Sequence, residues 1–460
     1  MSASAVAKAK PPAARPAYER PTLLRHQMGL MNKFGRAQAQ KPLTHIDGVS
    51  VDELIARHGS PLFVFSEQSL VQRYHDLRQA FVRRYAKVRL AWSYKTNYLQ
   101  AICRVFHREG SWAEVVSPME YDKALHTGVP SDRIHFNGPY KPDDAIEKAV
   151  RGDSPIHLDS FDELHRVERI GEKLGKRARV AIRINLSVEG LAPWSRFGLN
   201  LESGQAWEAA RRILAGGTLD LVGLHCHIGT FILGPVAYGI AAAKLVDLAN
   251  RLKRELGVKL EFLDLGGGFA SRNTLKDQYL SGDQAAPSFE RYADAICDEL
   301  AKLDYAPAEL PTLVLETGRA LCDDAGYLVS SVVASKRLPD GRRALVIDAG
   351  VNLLFTSFWY KHDVLPAQQT AGTQEPTVLY GPLCMNIDVL RDAVQLPPLE
   401  AGERLVFRNV GAYNVTQWMQ FITLRPAVVM IGRQGSVATI RRAELLSDLE
   451  ALEEVPAWLR

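Results

Sequence analysis

The chain has no CxxC pair: its five cysteines, Cys103, Cys226, Cys297, Cys322 and Cys384, are scattered over 460 residues. That spacing offers neither a zinc knuckle nor a disulfide framework, and free thiols fit a reducing cytoplasm. No apolar run is long enough to cross a bilayer, so no membrane partner is expected. No internal repeat appears. A strong charge of one sign is missing from most of the chain. Residues 1–41 carry eight Lys or Arg against one Glu, a local +7, which leaves the remainder at −3 of the formal total of +4. The opening "MSASAVAKAKPPAARPAYER" is rich in Ala, Pro and basic residues and lacks the apolar segment of a secretory signal. Residues 1–41 therefore read as a disordered basic tail, with an organelle transit peptide as the alternative. No aromatic platform accompanies the basic residues, so nucleic acid is not an expected partner.

What is present is enough for a large core. Hydrophobic residues make up 47% and charged residues 23%, over a length that admits two domains. Short apolar runs at 87–93, 112–116, 133–137, 155–159, 178–185, 221–227, 260–265 and 312–316 alternate with amphipathic stretches such as 142–151, 160–174 and 237–256. Asp159 and Ser160 offer capping side chains to the helix that follows them. Eight strands alternating with helices predict a (β/α)8 TIM barrel over 64–316, in preference to an open doubly wound sheet. After Arg319 the runs at 326–336, 343–348, 404–410 and 425–431 lose their intervening helices and gain turn signals such as Pro339-Asp340-Gly341. A second, mainly β domain is expected over 320–460, with 42–63 contributing a strand.

Reacting groups of such a barrel gather at the carboxyl ends of its strands. Lys95 follows the first expected strand, Glu114 lies in the second, and Asn137, Asp159, Arg183 and His227 end the next four. Gly266, Gly267 and Gly268 follow the seventh, and Glu316 ends the eighth. Alone, Lys95 reads as a solvated surface lysine; desolvated at a barrel mouth, its pKa falls and it forms Schiff bases. The three glycines are either a plain turn or a loop whose backbone N–H groups approach a phosphate. His225 and His227 alternate onto one face, but no third histidine or carboxylate is expected beside them, so no metal is expected.

The motifs "SYKTN", "HCHIGT", "LDLGGGF", "ETGRAL", "GPLCMNID" and "GAYN", in this order and spacing, resemble the fold-type III pyridoxal-phosphate (PLP) decarboxylases over about 45–430. The nearest likeness is to diaminopimelate decarboxylases. The resemblance implies an alanine-racemase-like barrel with a C-terminal β domain, PLP as cofactor and decarboxylation of an amino acid. It implies that Lys95 is the Schiff-base lysine, that His227 stacks on the cofactor ring, and that Glu316 faces the pyridine nitrogen. Thr230, Gly266, Gly267, Gly268 and Tyr413 are implied at the phosphate, Arg319 near substrate and phosphate, and Cys384 as a proton donor. Cys384 and Tyr413 are implied to reach the partner subunit's site, hence a homodimer with shared active sites.

Racemases of this fold place an arginine where Glu316 stands, so "ETGR" favours decarboxylation over racemisation. A non-catalytic PLP-binding protein of this kind has the barrel alone. Three positions depart from the diaminopimelate pattern: Met385 replaces an acidic residue after the cysteine, Thr356 replaces an arginine, and Thr317 replaces a proline. Tyr360 is retained as a substrate contact. Asp388 and His362 are the candidates to replace the missing recognition. A decarboxylase of a modified or conjugated amino acid, as in siderophore or antibiotic pathways, is the alternative these departures raise.

Overall fold

A computed structural model describes residues 41–192 and 194–459. The expected basic tail therefore lies, but for Lys41, outside the described residues. After a short hairpin of His45–Ile46 and Val49–Ser50 comes the strand β1 (Leu62–Ser66), followed by β2 (Val88–Ser93), β3 (Trp112–Val115), β4 (Ile134–Phe136), β5 (Ile156–Leu158), β6 (Ala178–Asn185), β7 (Leu219–Cys226), β8 (Phe262–Asp264) and β9 (Thr312–Leu315). From β2 to β9 each strand pairs in parallel with the next. Leu313 of β9 then pairs with Val88 of β2, closing the ring. These are the eight expected runs. They are short and apolar because helices cover the outer face and side chains fill the inside, so no strand keeps a wet face.

The helices begin where the local chemistry dictates. Ser160 caps Phe161–Leu174, its hydroxyl accepting the Glu163 N–H at 3.2 Å. Asp159 does not cap; its Oδ1 accepts the Gly198 N–H at 3.1 Å and faces Arg183 at 3.7 Å. The long helix expected from 237 starts at Pro235, whose fixed φ and missing N–H suit the first helical position, and stops at Gly257 with φ +68°.

The second domain is built on β10 (Gly326–Arg337). Its first half pairs with β1 on one side and with Arg404–Arg408 on the other. Its second half turns back through Gly341 (φ +86°) onto Arg343–Ile347. The sheet continues through Glu375–Tyr380 to Val389–Leu396 on one side, and through β1 to Val428–Ile431 and Val437–Arg441 on the other. The strand contributed from before the barrel is thus β1, fully buried, at the end of the expected segment. Loop 409–417 leaves this domain and lies on the barrel mouth: the Tyr413 N–H donates to the Thr96 carbonyl at 2.9 Å, and Asn97 Nδ2 to the Gly411 carbonyl at 3.1 Å. Among the described residues no helix is long and apolar enough to cross a membrane.

Candidate active site

The strand ends open into a cavity of about 630 Å³. Lys95 stands in the helical turn Tyr94–Thr96 just past β2, with Nζ 2.7 Å from Glu114 Oε2. Glu114 is buried and also accepts from Ser93 Oγ; its other oxygen accepts from Asn137 Nδ2 at 3.2 Å. Asn137 Nδ2 donates to Glu316 Oε1 as well, so one amide ties the carboxylate near Lys95 to the carboxylate after β9. Glu316 Oε2 lies 3.4 Å from His225 Nε2. His227 Nδ1 accepts the Gly267 N–H at 3.1 Å, and the edge of Trp194 meets its ring at 5.1 Å.

The glycine turn is required by space. A Cβ on Gly267 would strike the Glu316 carbonyl, and one on Gly268 (φ +97°) would strike the Gly229 carbonyl. Gly267 and Gly268 line the cavity. Gly266 stands behind them, its N–H held by Asp264 Oδ1 at 2.8 Å. Across the mouth, Arg319 Nη2 donates to Thr230 Oγ1 at 3.3 Å. The Arg319 guanidinium lies over Tyr413 at 4.6 Å and Tyr360 at 5.3 Å, and its Nε and Nη1 are unpartnered. Phe231 and Tyr413, both at this wall, adopt left-handed φ of 57° and 59°. Such conformations cost on the order of 1–3 kcal/mol and cluster where a site is shaped for a ligand.

The structure brings Lys95, His227, Thr230, Gly267, Gly268, Glu316, Arg319, Tyr360 and Tyr413 into one cavity. It corrects the assignment of Tyr413 to a partner's site: loop 409–417 lies against the Lys95 turn of its own chain. Cys384 is exposed and Met385 half-buried, and neither lines this cavity. Thr356 does line it, with its hydroxyl bonded to Asn414 Oδ1 and His362 Nε2, each at 2.9 Å. His362 is buried behind Thr356, and Asp388 is occupied by the Val351 and Leu383 N–H groups at 2.8 and 2.7 Å. Neither His362 nor Asp388 is among the residues lining the cavity.

Residues 67–323 match the family described as pyridoxal-dependent decarboxylase, pyridoxal binding domain, and residues 319–411 match its C-terminal sheet domain. The chain belongs to the pyridoxal-dependent decarboxylases. It is 32% identical to the diaminopimelate decarboxylase of Methanocaldococcus jannaschii over 431 residues, covering 90% of this chain and 95% of that one. The diaminopimelate decarboxylase of Bacillus subtilis is 27% identical over 429 residues, covering 90% and 96%. The M. jannaschii structure in complex with L-lysine superposes with a TM-score of 0.84 at 31% identity, covering 92% and 98%. The decarboxylase thus acts on an amino acid with PLP as cofactor.

The electrostatics of this decarboxylase follow from burial and pairing. Burial pulls the Lys95 pKa down, but Glu114, then Tyr413 and Glu316, outweigh it and hold the ammonium above the ordinary lysine range. The lowered value expected from desolvation alone is therefore corrected: the carboxylate on β3 wins. Burial, then Lys95 and Arg183, push His227 down to about 3, so its imidazole is neutral and carries its proton on Nε2. Burial acts against the Glu316 carboxylate, yet His225, His157 and Lys95 hold it well below the usual range. The neighbouring Asp264 is pushed well above its range by burial and by Glu316.

Sequence reasoning did not find His135, His157, Asp264 or Trp194. The expectation that nothing completes a cluster around His225 is also corrected: His157, Asp264 and Glu316 surround it, all buried. The available signal was a histidine in the middle of two three-residue apolar strands, "IHF" and "IHL", where alternation turns it into the barrel.

Proposed function

We propose that Lys95 Nζ holds PLP covalently and that the decarboxylase removes the α-carboxyl of an amino acid whose far end is neutral or extended. One observation carries this reading: an amine, an ionised carboxylate, a glycine turn and a guanidinium with unpartnered N–H groups line the same cavity. That donor set fits the aldehyde, ring nitrogen and phosphate of PLP. Bound there, PLP supplies the electron sink that loss of CO2 requires. Glu316 keeps the proton on the pyridine nitrogen, as a carboxylate beside it must. His227 offers a neutral ring face. Gly267, Gly268, Thr230 and Tyr413 receive the phosphate, with Gly266 shaping the turn. Arg319 is shared between phosphate and a substrate carboxylate, and Tyr360 closes the wall.

Cys384 delivers a proton at the partner subunit's site, with Met385 beside it there. Its exposure outside its own cavity supports this homodimeric arrangement. All five cysteines are unpaired, which supports a cytoplasmic location.

Charge limits what the far end of the substrate can carry. Among the described lining residues the carboxylates are Glu114 and Glu316, both committed, while Lys95 faces Glu114 and Arg183 faces Asp159. Arg319 is left to serve an anion, and no lining carboxylate is left to pair with a distal ammonium. The walls include Trp194, Phe197, Phe231 and Trp359, which suit an apolar or conjugated side chain. An unpaired buried charge costs several kcal/mol, and about 1.4 kcal/mol is tenfold in rate. CO2 release measured with diaminopimelate, lysine, ornithine and acylated diamino acids tests this. The conjugated substrates are expected to be preferred; a kcat/KM for diaminopimelate of about 10⁴ M⁻¹s⁻¹ or above would refute the substrate reading.

A further inference from the structure

His135, His157 and His225 project into the barrel from β4, β5 and β7, each at most 1% exposed. His135 Nδ1 and His157 Nε2 are 3.0 Å apart, so one proton lies between them. The rings of His157 and His225 are 4.8 Å apart, and His225 Nε2 is 3.4 Å from Glu316 Oε2. His157 Nδ1, both His225 nitrogens and Asp264 Oδ2 are otherwise unpartnered. One polar atom from each of His157, His225, Asp264 and Glu316 lies within 4.8 Å of the others. Buried imidazoles are costly unless they are polarised toward a charge, and the anion that this column approaches is Glu316.

We infer that the column His135–His157–His225 positions Glu316, holding its carboxylate ionised and oriented toward the cofactor's ring nitrogen. The inference rests on the reading of Glu316 given above. His225 Nε2 faces Glu316 Oε2 at 3.4 Å. His157 is bonded to His135 and packs its ring on His225 at 4.8 Å, so it fixes where the His225 ring stands. Burial keeps His135 neutral, at about 3, and His157 well below its ordinary value. Burial and Glu316 raise Asp264 well above its usual range, which favours a donor beside Glu316. The other charged groups facing this set are Lys95, Glu114, Lys141, Arg89 and Arg179.

The test uses holoenzyme reconstituted with PLP labelled with ¹⁵N in the ring, whose chemical shift reports the ring proton as pH is varied. In His157→Val the ring nitrogen is expected to lose its proton about one pH unit earlier, a roughly tenfold change. His157→Asn, which keeps a polar side chain between His135 and the His225 ring, should restore part of that shift. Glu316→Gln separates the two readings. If it leaves the ring nitrogen as in the wild type, both fail. If it strips the proton while His157→Val behaves as wild type, the column is overturned and the Glu316 reading stands. Should His157→Val not fold, by circular dichroism and cofactor content, His135→Val is read instead, with a smaller shift in the same direction; no shift overturns the inference. A metal bound one per chain and lost in His157→Val would overturn it too.

Discussion

Thr416 Oγ1 donates to the main-chain carbonyl of Lys95 at 2.9 Å, joining residues 321 positions apart in the chain. The sheet domain thereby grips the backbone of the lysine turn. Thr416→Val removes one hydrogen bond, worth about 1 kcal/mol. The expected outcome is a Kd for PLP raised about fivefold, read by titrating the apoenzyme, with little change in melting temperature. An unchanged Kd would mean that the turn is held by Tyr413 and Asn97 alone.

Borohydride treatment of the holoenzyme should fix the cofactor on Lys95 and bleach the visible absorption. Peptide mapping locates the label. A label on another lysine would dismiss the assignment, and Lys95→Ala should carry none.

If Cys384 serves the neighbouring subunit, two inactive variants should rescue each other. Mixing Lys95→Ala with Cys384→Ala creates one site per mixed dimer that holds both groups. Recovery of roughly a quarter of wild-type activity is expected from random pairing of equal amounts, since half the dimers are mixed and each has one competent site of two. No recovery after confirmed subunit exchange would place Cys384 outside the reaction.

Burial holds His135, His227 and His362 at about 3, against an ordinary value of 6.5. Between those values the unfolded chain binds protons that the native one refuses. The resulting stability is complete above pH 6.5 and is lost as pH falls toward 3. The melting temperature should therefore drop on acidification through this window. His362→Gln should flatten the drop; an unaltered slope would show that His362 does not contribute.

The barrel was legible because each strand is a short apolar run that ends on a polar residue, a pattern that survives without any knowledge of packing. The site was legible for the same reason at Lys95, Glu316 and His227. Other features were not. The charge state of Lys95 depends on Glu114, 19 positions away, and sequence alone gives burial without the partner that reverses its effect. The allegiance of Tyr413 depends on where loop 409–417 lands. His135 and His157 were hidden because a lone histidine in an apolar strand reads as core until neighbouring strands bring the rings together.

The strand Leu62–Ser66 lies between Gly326–Arg337 and Val428–Ile431, so both of its partners leave the ribosome long after it does. At about 5–20 residues per second, that strand waits roughly 20 to 70 s from its own synthesis for the second of them. The barrel, whose strands pair in the order they emerge, can assemble meanwhile. A buried strand of Leu, Phe and Val is left without its complete sheet for that interval, which makes the nascent chain a natural client for a chaperone and ties the maturation of the lysine turn to a residue made 321 positions later.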